Sequence, residues 1–421
     1  ERLVGSEMCI RDRKYMASIE IKHVGPLNET GKIDLKMVNL FIGKQSTGKS
    51  TLMKILSYCR WLEKTIMTGS DTVLSAYTHN NKFLKELMQF YRFNAGYFSN
   101  DSEIHYQGDC VTIHLNGTRS NARIERLSAF DDGRYNTKLS FIPSERNLLS
   151  AIKNIDRSYR ASDLDVLFNF VFEWGEAKDL YTNSEPKTLA IAPNMEYYFD
   201  KEKGTDIIRL KDKKKEFTTF YASSGVQSAL PVEILVEYVC GMAGQPVSLS
   251  KGELYDMMTK FLRERTSGDR LTETNGEILS SHLLNYQSAQ LFIEELEQNL
   301  YPESQWNLVR SIINAIKKAS VRTGHNSMVT LTTHSPYVLT ALNVLMVASA
   351  AWEKDSKATS EIVPENYILP TGSIGAYYLT EEGTLKDIVD AELHMVSGLE
   401  LDGISDLVDE SIAALNSIIY G

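Results

Sequence analysis

GKQSTGKST, residues 43–51, carries the residue types needed to hold a chain of phosphates, and it satisfies G-x-x-x-x-G-K-[ST] from Gly43 to Ser50. Gly43 and Gly48 allow a loop to wrap closely around a phosphate, with the backbone N–H groups of Lys44, Gln45, Ser46 and Thr47 pointing inward. In such a loop the Lys49 ammonium reaches the β- and γ-phosphates of a nucleoside triphosphate. The Ser50 hydroxyl ligates Mg2+, and Thr51 leads into the next element. Far downstream, ASSGVQSALPV (222–232) forms a second short polar turn, with Ser224 and Gly225 at the start of an apolar segment. A serine helix cap explains that turn in structural terms, although its glycine asks for more.

Two further groups suit the same chemistry. LFIEELE (291–297) ends an apolar run in adjacent carboxylates, Glu294 and Glu295. At the C-terminal end of a strand, the first can hold Mg2+ and the second can orient or deprotonate an attacking water. His334, in TLTTHSP, follows a second expected buried strand, where an imidazole can contact a γ-phosphate. FIPSER (141–146) adds Ser144, Glu145 and Arg146 at a third strand end, as nucleotide-sensing candidates or as a helix cap.

The elements that must position these groups follow from periodicity. Residues 17–24 and 33–42 are expected as strands, and 49–66 as a helix. Asn116-Gly117 between CVTIHL and ARIERL signals a hairpin. Residues 138–152 suggest a strand, a turn at Pro143 and a helix, 153–190 are mostly helical in pattern, and 195–222 suggest short strands. Helical patterns return over 230–285 and 305–320, with strands at 289–296 and 327–335. The longest apolar run, 337–352, follows Ser335-Pro336 and is expected to be a buried helix rather than a membrane span. In RLKDKKKEF (209–217) no aromatic residue alternates with the lysines, so a solvated turn is favoured over a nucleic-acid contact.

The chain has 421 residues, 43% of them hydrophobic, and a formal charge of −10. That charge argues against non-specific nucleic-acid binding over the whole surface. Cys9, Cys59, Cys110 and Cys240 show no CxxC spacing, which fits a reducing, cytoplasmic setting without zinc or disulfides. Residues 1–15 resemble a translated sequencing adaptor, and a biological start at Met16 is expected.

In order and type, the glycine loop, the Ser224-Gly225 turn, Glu294-Glu295 and His334 resemble the motifs of ABC-type ATPases. They are closer to the AAA-family ATP-binding proteins related to RecF and to the ATPase domain of OLD nucleases. The resemblance covers roughly residues 17–380, with Leu296 standing where the pattern has proline and Tyr301 where it often has histidine. It implies an α/β P-loop NTPase of ABC/RecF type, with a mixed sheet core, a β-hairpin subdomain and an inserted helical lobe. Residues 16–152 and 286–421 would form the two parts of the core, and 153–285 the lobe. It further implies ATP and Mg2+ as cofactors, with Ser50 and Glu294 at the metal and Glu295 and His334 as catalytic residues. Residues 43–51 would bind nucleotide, and Ser224 and Gly225 would be offered to the ATP of a second subunit in a homodimer. A partner effector encoded by a neighbouring gene, in DNA repair or anti-phage defence, completes the expectation. Nucleic acid stays open as a partner and a membrane is not expected. The alternatives are a transporter's nucleotide-binding subunit, disfavoured by the long 230–285 segment between motifs, and a non-hydrolysing scaffold, disfavoured by Glu295. No nuclease constellation is found after His334.

Overall fold

A computed structural model describes residues 17–69, 71–128, 135–152, 155, 165–247, 282–398 and 412. Its N-terminal part runs through β1 (Ser18–Val24), β2 (Leu27–Glu29), β3 (Ile33–Asp34), β4 (Val38–Gly43), α1 (Lys49–Thr68), α2 (Asp71–Tyr77) and α3 (Lys82–Tyr91). β5 (Phe98–Gln107), β6 (Val111–Asn116), β7 (Arg123–Arg126), β8 (Asn136–Ile142) and α4 (Val166–Lys178) follow. Next come β9 (Lys187–Thr188), β10 (Met195–Asp200), β11 (Thr205–Leu210), β12 (Lys215–Thr218) and α5 (Ser224–Met242). The last part holds β13 (Tyr286–Ile293), α6 (Pro302–Thr323), β14 (Met328–Thr333), α7 (Pro336–Lys354), β15 (Ile374–Leu379) and β16 (Leu385–Asp387). The expected helical stretch at 248–281 lies outside the described residues, as does most of 153–164.

The central sheet has the order β16-β15-β4-β14-β13-β8. β15, β4, β14, β13 and β8 are parallel, and only the edge pair β15–β16 is antiparallel. Every residue of β4, β14 and β15 is buried, as expected for strands covered on both faces, which read as continuous apolar runs. Alternate side chains divide between two cores. Val38, Leu40, Ile42, Leu291 and Ile293 meet the layer of α4, α5, α6 and α7. Phe41 and Phe292 meet α1, α3 and an antiparallel sheet ordered β2-β1-β5-β6-β7. A smaller antiparallel sheet, β12-β11-β10-β9, carries the lysine-rich turn, whose charges are partly offset by pairs such as Arg209–Glu216 and Lys211–Glu196.

Two expectations are refined. Residues 33–42 form two strands in different sheets, β3 beside β1 and β4 in the centre. The break is enforced by the fully buried Asn39, whose carboxamide accepts from the Lys36 N–H at 2.8 Å and donates to the Lys36 carbonyl at 2.9 Å. α7 buries one face through Val338, Leu342 and Leu345, while Tyr337, Val344 and Val347 remain exposed. Ser335 caps this helix by accepting from the Tyr337 N–H, with Pro336 in the first turn. Among the described residues no helix is long and apolar enough to cross a membrane.

A buried charge network fixes α1 between the sheets. Arg60 donates to Glu63 at 3.0 Å, Tyr106 at 3.0 Å, Asp109 at 3.1 Å and Gln290 at 2.8 Å. Glu63 also receives the Tyr106 hydroxyl and the Cys110 N–H. The loop helix is thereby tied to the β5–β6 turn and to β13. Removing one partner of such a network leaves uncompensated buried charge. Arg60→Met is expected to lower stability by about 3–5 kcal/mol, read as a drop in the urea midpoint.

Candidate functional site

The phosphate-type loop closes between β4 and α1. Gly43 has φ of 152°, and a Cβ there would lie 2.5 Å from the Leu379 carbonyl oxygen on neighbouring β15. Gly48, at φ of 107°, faces Leu27 just as closely. Both glycines are therefore set by backbone conformation and by close approach. Lys44, Gln45 and Ser46 are exposed at the tip, and Thr47, Gly48, Lys49 and Thr51 are buried, with Ser50 half-buried. The Thr47 hydroxyl donates to the Lys44 carbonyl at 2.9 Å, and the Lys44 ammonium pairs with Glu381. The Lys49 ammonium donates to the carbonyls of Gly43, at 2.8 Å, and Lys44. Burial pushes it down to about 8, against the pull of Glu297 and Glu295. A lysine held inside its own loop, with acids nearby, is placed to exchange those carbonyls for phosphate oxygens.

Because β14 lies between β4 and β13, the loop, His334 and the acid pair occupy three adjacent parallel strand ends. This is the edge at which open α/β sheets bind ligands. Glu294 is 2% exposed. Its Oε2 accepts from the Ser144 N–H at 3.1 Å, and its Oε1 has no hydrogen-bond partner, with the Lys54 ammonium 3.8 Å away. Burial raises its pKa, opposed by Lys54, the Ser144 N–H and the Ser50 hydroxyl. An orphaned buried carboxylate oxygen beside a serine hydroxyl fits a magnesium ion that also takes phosphate oxygens. Among the described residues no cluster of three or more His, Cys, Asp or Glu is found.

Glu295 follows with φ of 45°, a conformation costly for a non-glycine residue and frequent at functional sites. Its N–H donates to the Thr332 hydroxyl at 3.0 Å. Glu297, to which the sequence reading assigned no role, accepts from the His334 N–H at 2.6 Å and the Thr333 hydroxyl at 2.7 Å. It thus fixes the backbone that carries the half-buried His334. The available signal was an acid three residues after Glu294, within the same quoted motif.

Arg146 is the other residue whose weight exceeds expectation. It is fully buried and donates to four carbonyls: Ser228 at 2.8 Å, Glu294 at 2.6 Å, Glu295 at 2.7 Å and Pro143 at 3.4 Å. Burial lowers the guanidinium pKa to about 10, opposed by Glu297, Glu295 and Glu294, so it stays charged at neutral pH. Ser144 supplies the N–H already described, and Glu145 only receives the Ser144 hydroxyl.

The Ser224-Gly225 turn opens α5, which packs on β8 and β13. Ser223 stands at the cap position and its side chain makes no capping bond. Ser223 and Ser224 are both exposed. Gly225 has a structural use, since a Cβ there would lie 2.8 Å from the Asn299 carbonyl oxygen. Asn299 also donates to the Ser228 hydroxyl at 3.0 Å, and Gln227 donates to the carbonyls of Thr219 and Phe220. The exposed helix start is therefore welded to the loop that follows Glu294-Glu295. Exposed aromatic side chains stand near three of the motifs in sequence: Phe220 and Tyr221 before Ser224, Tyr301 after Glu295, and Tyr337 after His334.

No protein-family model matches the chain, and no curated protein matches it. Among solved structures it is similar to an SMC head bound to the C-terminal winged-helix domain of ScpA (TM-score 0.39, 9% identity, 89% of this chain and 97% of that one). A second is the SMC head domain from Thermotoga maritima (TM-score 0.38, 9% identity, 89% and 98%). A third is the recombination mediator RecF of the RecFOR pathway (TM-score 0.29, 12% identity, 89% and 98%). Likenesses this distant leave the chemistry to be read from the chain's own residues.

Arg146→Met removes the donor from four backbone carbonyls while keeping similar volume. Charge-assisted bonds contribute about 1.5–3 kcal/mol each, so the variant is expected to unfold at clearly lower urea concentration. Arg146→Lys, which can serve only part of the fork, is expected to fall between it and the wild type.

Proposed function

We propose that this chain binds ATP with Mg2+ and hydrolyses it as an ABC-type ATPase, with two copies enclosing the nucleotide between them. The observation that carries the reading is the orphaned Glu294 oxygen beside Ser50, at the same sheet edge as the glycine loop. The loop N–H groups and Lys49 would bind the β- and γ-phosphates, and Ser50 with Glu294 would hold the metal. Bound Mg2+ neutralises charge on the phosphate oxygens during transfer. Glu295 would orient the attacking water and take its proton, and His334 would contact the γ-phosphate. Glu297 positions His334 through its backbone, and Arg146 holds both carboxylate-bearing residues in place.

The dimer reading draws on α5. Its start exposes Ser224 and carries no side-chain cap, so its N–H groups and dipole can meet an anion. We place there the γ-phosphate of ATP bound to a second subunit. Closure of the dimer on ATP and its opening after hydrolysis would switch a partner effector, in DNA repair or anti-phage defence.

Glu295→Gln keeps the side-chain size and removes the base. Hydrolysis is expected to fall roughly 10²–10⁴-fold, while ATP binding persists and an ATP-dependent dimer accumulates on gel filtration. Unchanged turnover would move the role to another residue.

A mixing experiment tests the shared site. Lys49→Ala is expected to lose ATP. Ser224→Arg is expected to bind ATP but to block its partner's site by bulk, leaving each variant nearly inactive alone. Random pairing makes half the dimers mixed, each with one complete site of two, so about a quarter of wild-type turnover is expected to return. Wild-type turnover by Ser224→Arg alone would reduce the turn to a helix start and sink the shared-site reading.

A further inference from the structure

Behind the phosphate loop, α1, α3, β8 and α4 enclose a cavity of about 490 Å³, within the size range of small-molecule sites. Its walls are aromatic. Tyr58 and Trp61 stack at 5.6 Å along α1, and Tyr91 meets Phe141 edge-on at 5.3 Å. Tyr58, Tyr91 and Phe141 are buried, and the aromatic surface left open is that of Trp61, 40% exposed, and the half-buried Phe90. Lys49 and Trp61 lie on the same helix about 18 Å apart at helical rise, which separates this cavity from the phosphate loop.

The polar groups at the rim are few and varied. Glu86 is fixed by the Tyr77 hydroxyl at 2.6 Å and by Lys82 at 3.5 Å. The carboxamides of the exposed Gln89 and the half-buried Asn169 line the same space. Each offers two donors and an acceptor. None of the described lining residues is a lysine or arginine. An anionic ligand would therefore lose hydration without meeting a cation in the lining, since Lys82 is already engaged by Glu86.

Aromatic faces accept a flat ring, and paired carboxamides read a ring edge that both donates and accepts. We propose that this cavity binds an uncharged planar heteroaromatic molecule, a free nucleobase or nucleoside, and not its phosphorylated form. The proposal concerns binding alone and stands apart from the ATPase reading. Two walls of the cavity nevertheless lead to the phosphate site. α1 begins at Lys49, and β8 ends just before Ser144, the donor to Glu294.

The test is calorimetric titration of the full chain with adenine, guanine, cytosine, their nucleosides and the matching 5′-monophosphates. At least one base or nucleoside is expected to bind, its monophosphate at least tenfold more weakly, and saturating Mg-ADP is expected not to displace it. Asn169→Leu should weaken binding about tenfold, the usual scale for losing a buried polar contact, and Gln89→Leu, at the exposed rim, by a smaller factor. Trp61→Phe, which keeps a ring, should bind more tightly than Trp61→Ala. A base in preference to its nucleoside would show that the ribose is excluded, and the reverse that it is held; both support the site. Failure of every base and nucleoside at millimolar concentration overturns the proposal. So does displacement by Mg-ADP, a monophosphate binding as well as its nucleoside, or undiminished binding by well-folded Asn169→Leu and Gln89→Leu chains.

Discussion

The Arg146 guanidinium is the interaction on which the candidate site hangs. A charged group with no exposure survives only when its donors are satisfied, and here its partners are backbone carbonyls of β13's end and of α5. Carbonyls cannot move without moving the chain, so the clamp locks two pieces of backbone together. One is the turn in which Glu295 takes its strained φ. The other is the second turn of the helix that presents Ser224, at Ser228. In the proposed dimer those pieces serve different ATP molecules, since the carboxylates face the subunit's own nucleotide and Ser224 faces the partner's. A shift at one would be passed to the other through a single side chain, reinforced by Asn299 on Ser228 and by the contact at Gly225.

A second constraint sets the spacing. Parallel register puts Ile42 opposite Thr333 and Leu331 opposite Ile293, which levels the loop, His334 and the acid pair at one edge. Glu297 then ties the end of β13 to the end of β14, so three strand termini behave as one platform. Preorganisation of this kind lets a site bind a highly charged ligand without rearranging its own dipoles.

Much of this was legible in the sequence, for a physical reason in each case. The glycine loop, Glu294-Glu295 and His334 stand out because the chemistry proposed for them needs particular residue types immediately after buried strands, and the structure sets all three at adjacent strand ends. What could not be read depends on pairings between distant segments. The insertion of β14 between β4 and β13 follows from strand order, which periodicity does not encode. Arg146 could be named as a candidate but not weighed, since its partners are carbonyls, which every residue possesses. The division of 33–42 turns on Asn39, a polar residue inside an apolar run, whose meaning appears only once it clips Lys36. The cavity beside Trp61 is equally hidden, because its aromatics have the spacing of ordinary helix core residues.

The placement of β4 also governs how this protein must be made. Val38 pairs with Val329 on one side and with Ile374 on the other. A ribosome working from the N-terminus therefore releases a fully buried, largely apolar central strand long before either neighbour exists. At ordinary elongation rates that interval lasts on the order of tens of seconds, with both strand edges unpaired. Until then the nascent chain can shelter β4 only behind α1 and the early antiparallel sheet. Long-range parallel pairing of this sort folds slowly, and production of this chain is correspondingly sensitive to chaperone supply and to premature termination before β14.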